Sequence, residues 1–356
     1  MKKRKVCILF GGMSPEHEVS LRSAEAVLNH IDRTQYDVIP VGITKEGQWI
    51  CYGGTDYSAL PAKTWVNHPG NRKAAISPVR GQGLLLFDGD RVTEVPIDVV
   101  FPVLHGENGE DGTMQGLMQM AGIPCVGPRL AASAVSMDKT LTKLVADHAQ
   151  VPQAAWQLVT KRSLKKHMDE TLDALEARFH YPMFVKPACT GSSVGVSKAK
   201  ERQGLRKALE SAAAYDSKIL VEEFIDGHEV EVAVLGNEEP VASVCGEIDS
   251  GVEFYDYDAK YVTDTSTCYI PARISEDAAQ TVRSLAVKVY KALGCRGLSR
   301  VDFFVTYQGN QVIFNEINTL PGFTSISMYP KLFAASGMDF SQLIDTLLQL
   351  AMEEKP

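Results

Sequence analysis

Apolar positions fall into two spacings along this chain, and their alternation sets the expected fold. Lys5 to Phe10 is a nearly continuous apolar run that ends at Gly11-Gly12, as a strand buried on both faces of a parallel sheet does. Ser20 to Ile31 carries Leu21, Ala24, Val27, Leu28 and Ile31 at helical spacing. Strands are expected at Asp37 to Ile43 and Asp98 to Leu104, and a helix from Gly112 to Ala121. This alternation predicts a parallel sheet over roughly the first 125 residues. Tyr52 to Arg80, rich in Gly, Pro, Asn and Lys, reads as surface loop. The character changes around Gly127-Pro128, and Arg129 to Ala149 reads as helix. A strand from Met183 to Lys186 then enters the loop Pro187 to Gly195, followed by a helix (Glu201 to Ala213) and strands at Lys218 to Phe224 and Glu229 to Leu235. The polar, tyrosine-rich stretch from Asp249 to Ala272 is too long for a routine connection and has the length of a lid or binding loop. Ser275 is a helix N-cap with Glu276 and Asp277 behind it. A last amphipathic helix runs from Phe340 to about Met352.

Composition narrows the class. The 356 residues are 45% hydrophobic and 22% charged, ordinary for globular domains, and long enough for two or three of them. A net charge of −8 without a basic block argues against general nucleic-acid binding. The basic start is followed by an apolar run of only Val6 to Phe10, too short for a signal peptide, and no stretch approaches the ~18 apolar residues of a membrane span. Seven dispersed cysteines without a C-x-x-C pair fit reduced thiols in a cytosol.

Two short strands carry the strongest chemical signal, Leu298 to Phe304 and Val312 to Asn318. Residues two apart share a face, so Arg300 pairs with Asp302 on one strand and Glu316 with Asn318 on the next. Two carboxylates and an amide oxygen make a hard cage suited to Mg²⁺. For either strand alone, a buried ion pair of Arg300 with Asp302 or Glu316 is the simpler reading. The two together, followed by a Pro-Gly loop, tip the balance to a metal site. The loop Thr190 to Gly195 behind Lys186 suits phosphates, although it is neither a P-loop nor a dinucleotide fingerprint. On local sequence Lys139 is a solvated helix lysine, unless its helix faces the same cleft. At most one of Glu222 and Glu223 can face that cleft, and Glu229 or Glu231 could reach a ribose. Glu16, at the carboxyl end of the first strand, suits a substrate ammonium; helix N-terminal charge compensation is the alternative. His105 ends another strand at the same edge. The segment Asn318 to Ser327 offers backbone N–H groups where an oxyanion hole would sit.

Five ordered motifs extend these readings: Gly11-Gly-x-Ser14-x-Glu16-x-Glu-Val-Ser20, His105-Gly-x-x-Gly-Glu-Asp-Gly112, Gly191-Ser-Ser-Val194, Tyr255-x-Tyr-x-x-Lys260-Tyr261 and Asn315-Glu-Ile-Asn-Thr-x-Pro-Gly-Phe-Thr324. With Lys186 and Glu222-Glu223 they resemble the ATP-grasp superfamily, and within it the D-alanine–D-alanine ligase family over essentially the whole length. The resemblance implies an α/β and α+β chain: a Rossmann-like parallel-sheet substrate domain (1–128), then a two-lobed ATP-grasp fold with a central lobe (129–224) and a C-terminal lobe (225–356) bearing a lid (249–272) and the metal site.

The resemblance also implies roles. Lys139 and Lys186 hold ATP phosphates, with Ser192 and Ser193 of the loop, while Glu222, Glu223, Phe224, Ile225 and Glu229 surround adenine and ribose. Asp302, Glu316 and Asn318 bind two Mg²⁺ or Mn²⁺ ions. Glu16 holds the first D-alanine's ammonium near His105, and Arg300 with the Gly322 N–H forms the oxyanion site. Lys260, Ser327 and Met328 belong to the second-substrate site. Glu16, Ser192 and Tyr261 match a triad that locks the lid. The implied partners are D-alanine and ATP, with no nucleic acid or membrane, in a cytoplasmic homodimer serving peptidoglycan synthesis. Departures are Glu223, where many relatives carry lysine, and Cys189-Thr190 in place of more polar residues. The rival readings are a D-alanine–D-serine ligase or, less favoured because the lid holds no histidine, a D-lactate ligase. A non-catalytic ATP-binding relative would have eroded metal and oxyanion positions, and these are intact.

Overall fold

The computed structural model describes residues 3–191, 194–249 and 267–353. Its strands form three sheets, each built around a run the sequence makes apolar. In the first, Arg4–Gly11 pairs in parallel with Tyr36–Ile43 on one side and Val99–Val103 on the other. Val6 through Phe10 are wholly buried, since helix His17–His30 covers one face and helix Thr113–Ala121 packs on the other. The parallel core is only three strands wide. Trp49–Cys51, Arg72–Ile76, Leu84–Asp88 and Arg91–Val95 extend it as antiparallel ribbons, so the sheet is mixed. The stretch expected as surface loop thus contributes a strand, and Leu60 and Trp65 from it are buried in the core. Large side chains on short turns, not a periodic element, do that anchoring. Gly11 sits at φ +87°, and a Cβ there would lie 2.2 Å from the Ile43 carbonyl oxygen, so only glycine makes this turn.

Asp138 breaks the expected single helix of 129–149 into Leu130–Met137 and Lys139–His148, its carboxylate capping the second through Thr140 and Leu141 N–H. The second sheet orders Ser197–Ala199, Met183–Pro187, Lys218–Glu223 and Trp156–Thr160. Helices Lys161–Arg178 and Arg202–Tyr215 contribute to its own hydrophobic core. In the third sheet Thr267–Tyr269, Val241–Asp249, Gly227–Leu235, Leu298–Thr306 and Val312–Asn318 run antiparallel throughout. Helix Glu276–Ala292 covers one face, with Ser275 capping as the sequence predicts. Helix Met328–Ala335 packs on the other face, and helix Phe340–Glu353 lies against it and against Val99–Val103 and helix His17–His30, so that both share one core with the first sheet. The last two sheets and the loop ends of the first enclose a cleft of about 1610 Å³.

Candidate active site

One wall of the cleft comes from the second sheet. Met183, Val185, Ile219 and Val221 point into its core, so strand alternation sends Phe184, Lys186, Leu220 and Glu222 to the cleft side. Lys186 Nζ lies 2.7 Å from Glu222 Oε2, and Lys143 Nζ of helix Lys139–His148 lies 2.5 Å from Oε1. Burial alone would raise the Glu222 carboxyl; the two ammonium groups outweigh it and hold the group down at about 2. Burial likewise pulls the Lys186 ammonium down, and the charges of Glu222 and Glu316 more than restore it. Glu223, at the strand end, lines the cleft as well, its Oε1 accepting the Ala155 N–H at 2.7 Å, which corrects the expectation that only one of the two glutamates reaches it. Phe224 sits with its ring 6.1 Å from Phe184 and with Lys198 Nζ 4.0 Å above it, and Ile225 and Glu229 line the same stretch. Lys139 opens its helix facing the cleft, donating to the Thr190 carbonyl at 2.6 Å. That corrects the solvated-lysine reading: the break at Asp138 aims the helix start at the Gly/Ser loop.

The opposite wall is the pair of strands with the strongest sequence signal. Arg300 registers against Asn318, and Asp302 against Glu316. Arg300 grips Asp302 twice, Nε and an Nη each donating at 2.8 Å, and its Nε also lies 3.1 Å from Glu231 Oε2. Burial would pull the guanidinium down; Asp302 and Glu231 instead keep it charged. Glu231 registers opposite Asp302 on the next strand, so it reaches Arg300 rather than a ribose, a correction to the sequence reading. Asn318 Nδ2 donates to Asp302 Oδ2 at 3.0 Å, which leaves its amide oxygen for a cation. Glu316 and Asn318 line the cleft, while Asp302 is only 8% exposed. Among the described residues no cluster of three or more His, Cys, Asp or Glu forms a ready metal cage. The donor set at these strands, two carboxylates and one amide oxygen, nonetheless fits a hard divalent cation.

The loops at the edge of the first sheet complete the site. Glu16 precedes helix His17–His30, and its Oε2 would lie 2.8 Å from a Cβ on Gly106 and 3.3 Å from one on Gly191. These two glycines therefore let the Glu16 carboxylate sit between the His105 loop and the Gly/Ser loop. His105 is 6% exposed, with Nδ1 3.0 Å from the Leu320 carbonyl; burial lowers its pKa and favours the neutral ring. Gly322 packs against Ser327, whose Oγ accepts the Thr324 N–H at 3.0 Å. Met328, largely buried, packs over Gly246 at the start of the next helix. Ser192, Ser193, Lys260 and Tyr261 lie outside the described residues, as does most of the expected lid.

Two residues here carry no role in the sequence reading. Lys143 follows Lys139 by one helical turn, but that i, i+4 spacing does not tell that Lys143 meets Glu222 of the second sheet. Glu110, inside the His105-to-Gly112 motif, accepts the Gly106 N–H at 2.7 Å and the Leu320 N–H at 3.2 Å. It thereby joins the His105 loop to the loop bearing Gly322. Burial and the charge of Glu16 push its carboxyl above the usual range.

Comparison with known proteins fits this geometry. The family model "D-ala D-ala ligase N-terminus" matches residues 5–128, and "D-ala D-ala ligase C-terminus" matches residues 145–349. The D-alanine–D-alanine ligase of Acetivibrio thermocellus is 48% identical, covering 99% of this chain and 96% of the relative. That of Clostridium acetobutylicum is 48% identical with 98% of each covered. Among solved structures, the VanG D-Ala:D-Ser ligase from Enterococcus faecalis superposes with a TM-score of 0.90 at 40% identity, covering 98% of this chain and 100% of that one. The D-alanine-D-alanine ligase from Coxiella burnetii gives 0.86 at 33% identity, covering 99% and 95%. Matched from end to end in sequence and in fold, the chain belongs to the D-alanine–D-alanine ligase family of ATP-dependent, ATP-grasp enzymes.

Proposed function

We propose that this chain joins two D-alanine molecules at the expense of ATP, making D-alanyl-D-alanine for peptidoglycan precursors. In the first step a D-alanine carboxylate attacks the γ-phosphorus of ATP, giving D-alanyl phosphate and ADP. In the second the amine of another D-alanine attacks that carbonyl, and inorganic phosphate leaves the tetrahedral intermediate. Lys139 and Lys186, with Ser192 and Ser193, hold the phosphates; Glu222, Glu223, Phe224, Ile225 and Glu229 surround the nucleoside. Glu16 binds the first ammonium, with neutral His105 beside it. Arg300 and the Gly322 N–H receive the developing oxyanion, which is strongest when such donors are held in place beforehand. Ser327, Lys260 and Met328 bound the second substrate, and Tyr261 with Glu16 and Ser192 closes the lid against water. Asp302, Glu316 and Asn318 would hold two Mg²⁺ or Mn²⁺ ions, which supply charge neutralisation for phosphoryl transfer when bound.

The observation that carries the reading is one cleft lined by Lys139, Lys186, Glu16, Arg300, Glu316 and Gly322 together, in a chain whose residues 5–128 and 145–349 match the two family models. On the same reading the chain divides at about residues 128 and 224 and works as a cytoplasmic homodimer, the latter testable by sedimentation. The activity is tested by ADP release that requires D-alanine, with the dipeptide identified chromatographically. D-alanine, D-serine and D-lactate are offered in competition as second substrate. Preferential formation of the D-serine or D-lactate product would overturn the assignment in favour of the rival ligase.

A further inference from the structure

Lys143 is the most deeply buried lysine of the site, 2% exposed, and it does not line the cleft. Among the described residues its ion pair is to Glu222 Oε1, on the side of the carboxylate opposite Lys186. Glu222 therefore stands between two ammonium groups, one facing the cleft and one behind it. Lys186 is tied down further by Asn315 Oδ1 at 3.3 Å. A phosphate-binding lysine held by a buried carboxylate has a built-in competitor, because that carboxylate both attracts the lysine and repels the phosphate. With Lys143 present the trio carries a net charge of +1. Without it the net charge is zero, and Glu222 has only Lys186 to neutralise it.

We propose that Lys143 is a positioning residue that holds the charge of Glu222, so that the ammonium of Lys186 can turn to the triphosphate of the nucleotide. Lys143 touches no substrate and acts only through Glu222 and Lys186. This rests on the assignment of Lys186 to the ATP phosphates. It separates two demands on one wall of the cleft: a buried carboxylate for the nucleoside and a positive site for the phosphates beside it. Loss of Lys143 therefore weakens phosphate binding and not nucleoside binding.

The test is calorimetric titration of the full chain with adenosine, ADP and ATP, each with Mg²⁺ and without D-alanine. Lys143→Met keeps the side-chain volume and should weaken ATP by about tenfold or more, the scale of one charge-assisted contact. Adenosine affinity should stay within about twofold of wild type. Lys143→Arg should retain the preference for ATP over adenosine. The double variant Lys143→Met/Glu222→Gln restores the net charge of +1 and should bring that preference back to within about threefold of wild type. Lys143→Gln, smaller and polar, serves if the methionine variant does not fold. An unchanged ATP-to-adenosine ratio in the single variants, or an equal loss of both ligands, overturns the proposal. If wild type itself shows no preference for ATP over adenosine, the phosphate assignment of Lys186 falls, and the proposal with it.

Discussion

A single methyl group added at Gly322 tests the proposed role of Ser327 in second-substrate binding. An alanine Cβ there would lie 2.8 Å from Ser327 Oγ. Ordinary carbon–oxygen contact needs several tenths of an ångström more, so the hydroxyl must move. Ser327 Oγ is not free to do so, because it accepts the Thr324 N–H at 3.0 Å and lies 2.8 Å from Thr324 Oγ1. Turning the serine to another rotamer gives up both hydrogen bonds, each worth about 1 kcal/mol, so Gly322→Ala costs about 2 kcal/mol in all. If Ser327 holds the second D-alanine, that loss appears as a rise of roughly tenfold to thirtyfold in the D-alanine KM governing the second site. The KM for ATP should stay within about twofold, and the melting temperature should fall by only a few degrees. Initial rates measured across D-alanine concentration, at saturating ATP, resolve the two sites. A well-folded variant whose D-alanine KM values both match wild type would refute the reasoning.

The other predictions concern charge and the neighbouring side chains. Glu231→Gln removes one of the two carboxylates that orient Arg300; dipeptide formation should fall about tenfold to a hundredfold, as for other supporting residues at charged sites, while adenosine binding is retained in a titration. Gly246→Ala would bring a Cβ to 2.9 Å from both Met328 Sδ and Leu332 Cδ2, so overpacking should cost about 1–3 kcal/mol in denaturant melts. His105 has a lowered pKa, so the unfolded chain takes up a proton that the folded chain resists; its contribution to stability is lost as pH falls below about 6.5. His105→Gln should therefore flatten the loss of melting temperature between about pH 6.5 and 5, and an unchanged slope argues against a buried neutral ring. Chelating divalent cations with EDTA should abolish D-alanine-dependent ADP release without changing adenosine affinity; persistent turnover would remove Asp302, Glu316 and Asn318 from a metal role.

Legibility in the sequence followed how local each signal is. The strand from Lys5 to Phe10 and the Ser275 cap were readable because one short segment contains the whole pattern. The antiparallel ribbons of the first sheet were not, since Arg72–Ile76 carries exposed Arg72 and Lys73 and has a partly apolar pattern, and its partners come from neighbouring short segments. Helix Lys161–Arg178 is mostly polar and buries only Leu164, Leu172 and Leu175, too sparse a stripe to stand out. At the site, the carboxylates of Glu316 and Glu16 were found from strand ends and motifs. Lys143 and the Glu231–Arg300 contact depend on which element lies behind which, and spacing along one strand or helix does not record that. Glu110 was visible as a motif letter, but its bond to the Leu320 N–H spans 210 positions.

The pair of strands that suggested either an ion pair or a metal site supports both, for a physical reason. Asp302 accepts from Arg300 through both oxygens and from Asn318 through one. Each carboxylate oxygen has two acceptor directions, so these bonds leave Oδ1 with one unused. The guanidinium pairs with Asp302 and orients it when no cation is near, which removes the cost of an unpaired buried carboxylate. Glu231 then matters because it gives Arg300 a second anchor: a cation that draws charge from Asp302 does not release the arginine. On this account, Glu231→Gln should make dipeptide formation more sensitive to high Mg²⁺ than wild type, as the cation competes with Arg300 for Asp302. Rates measured over a wide range of Mg²⁺ at saturating ATP decide it, and identical Mg²⁺ profiles for the two proteins would show that Asp302 alone holds the arginine.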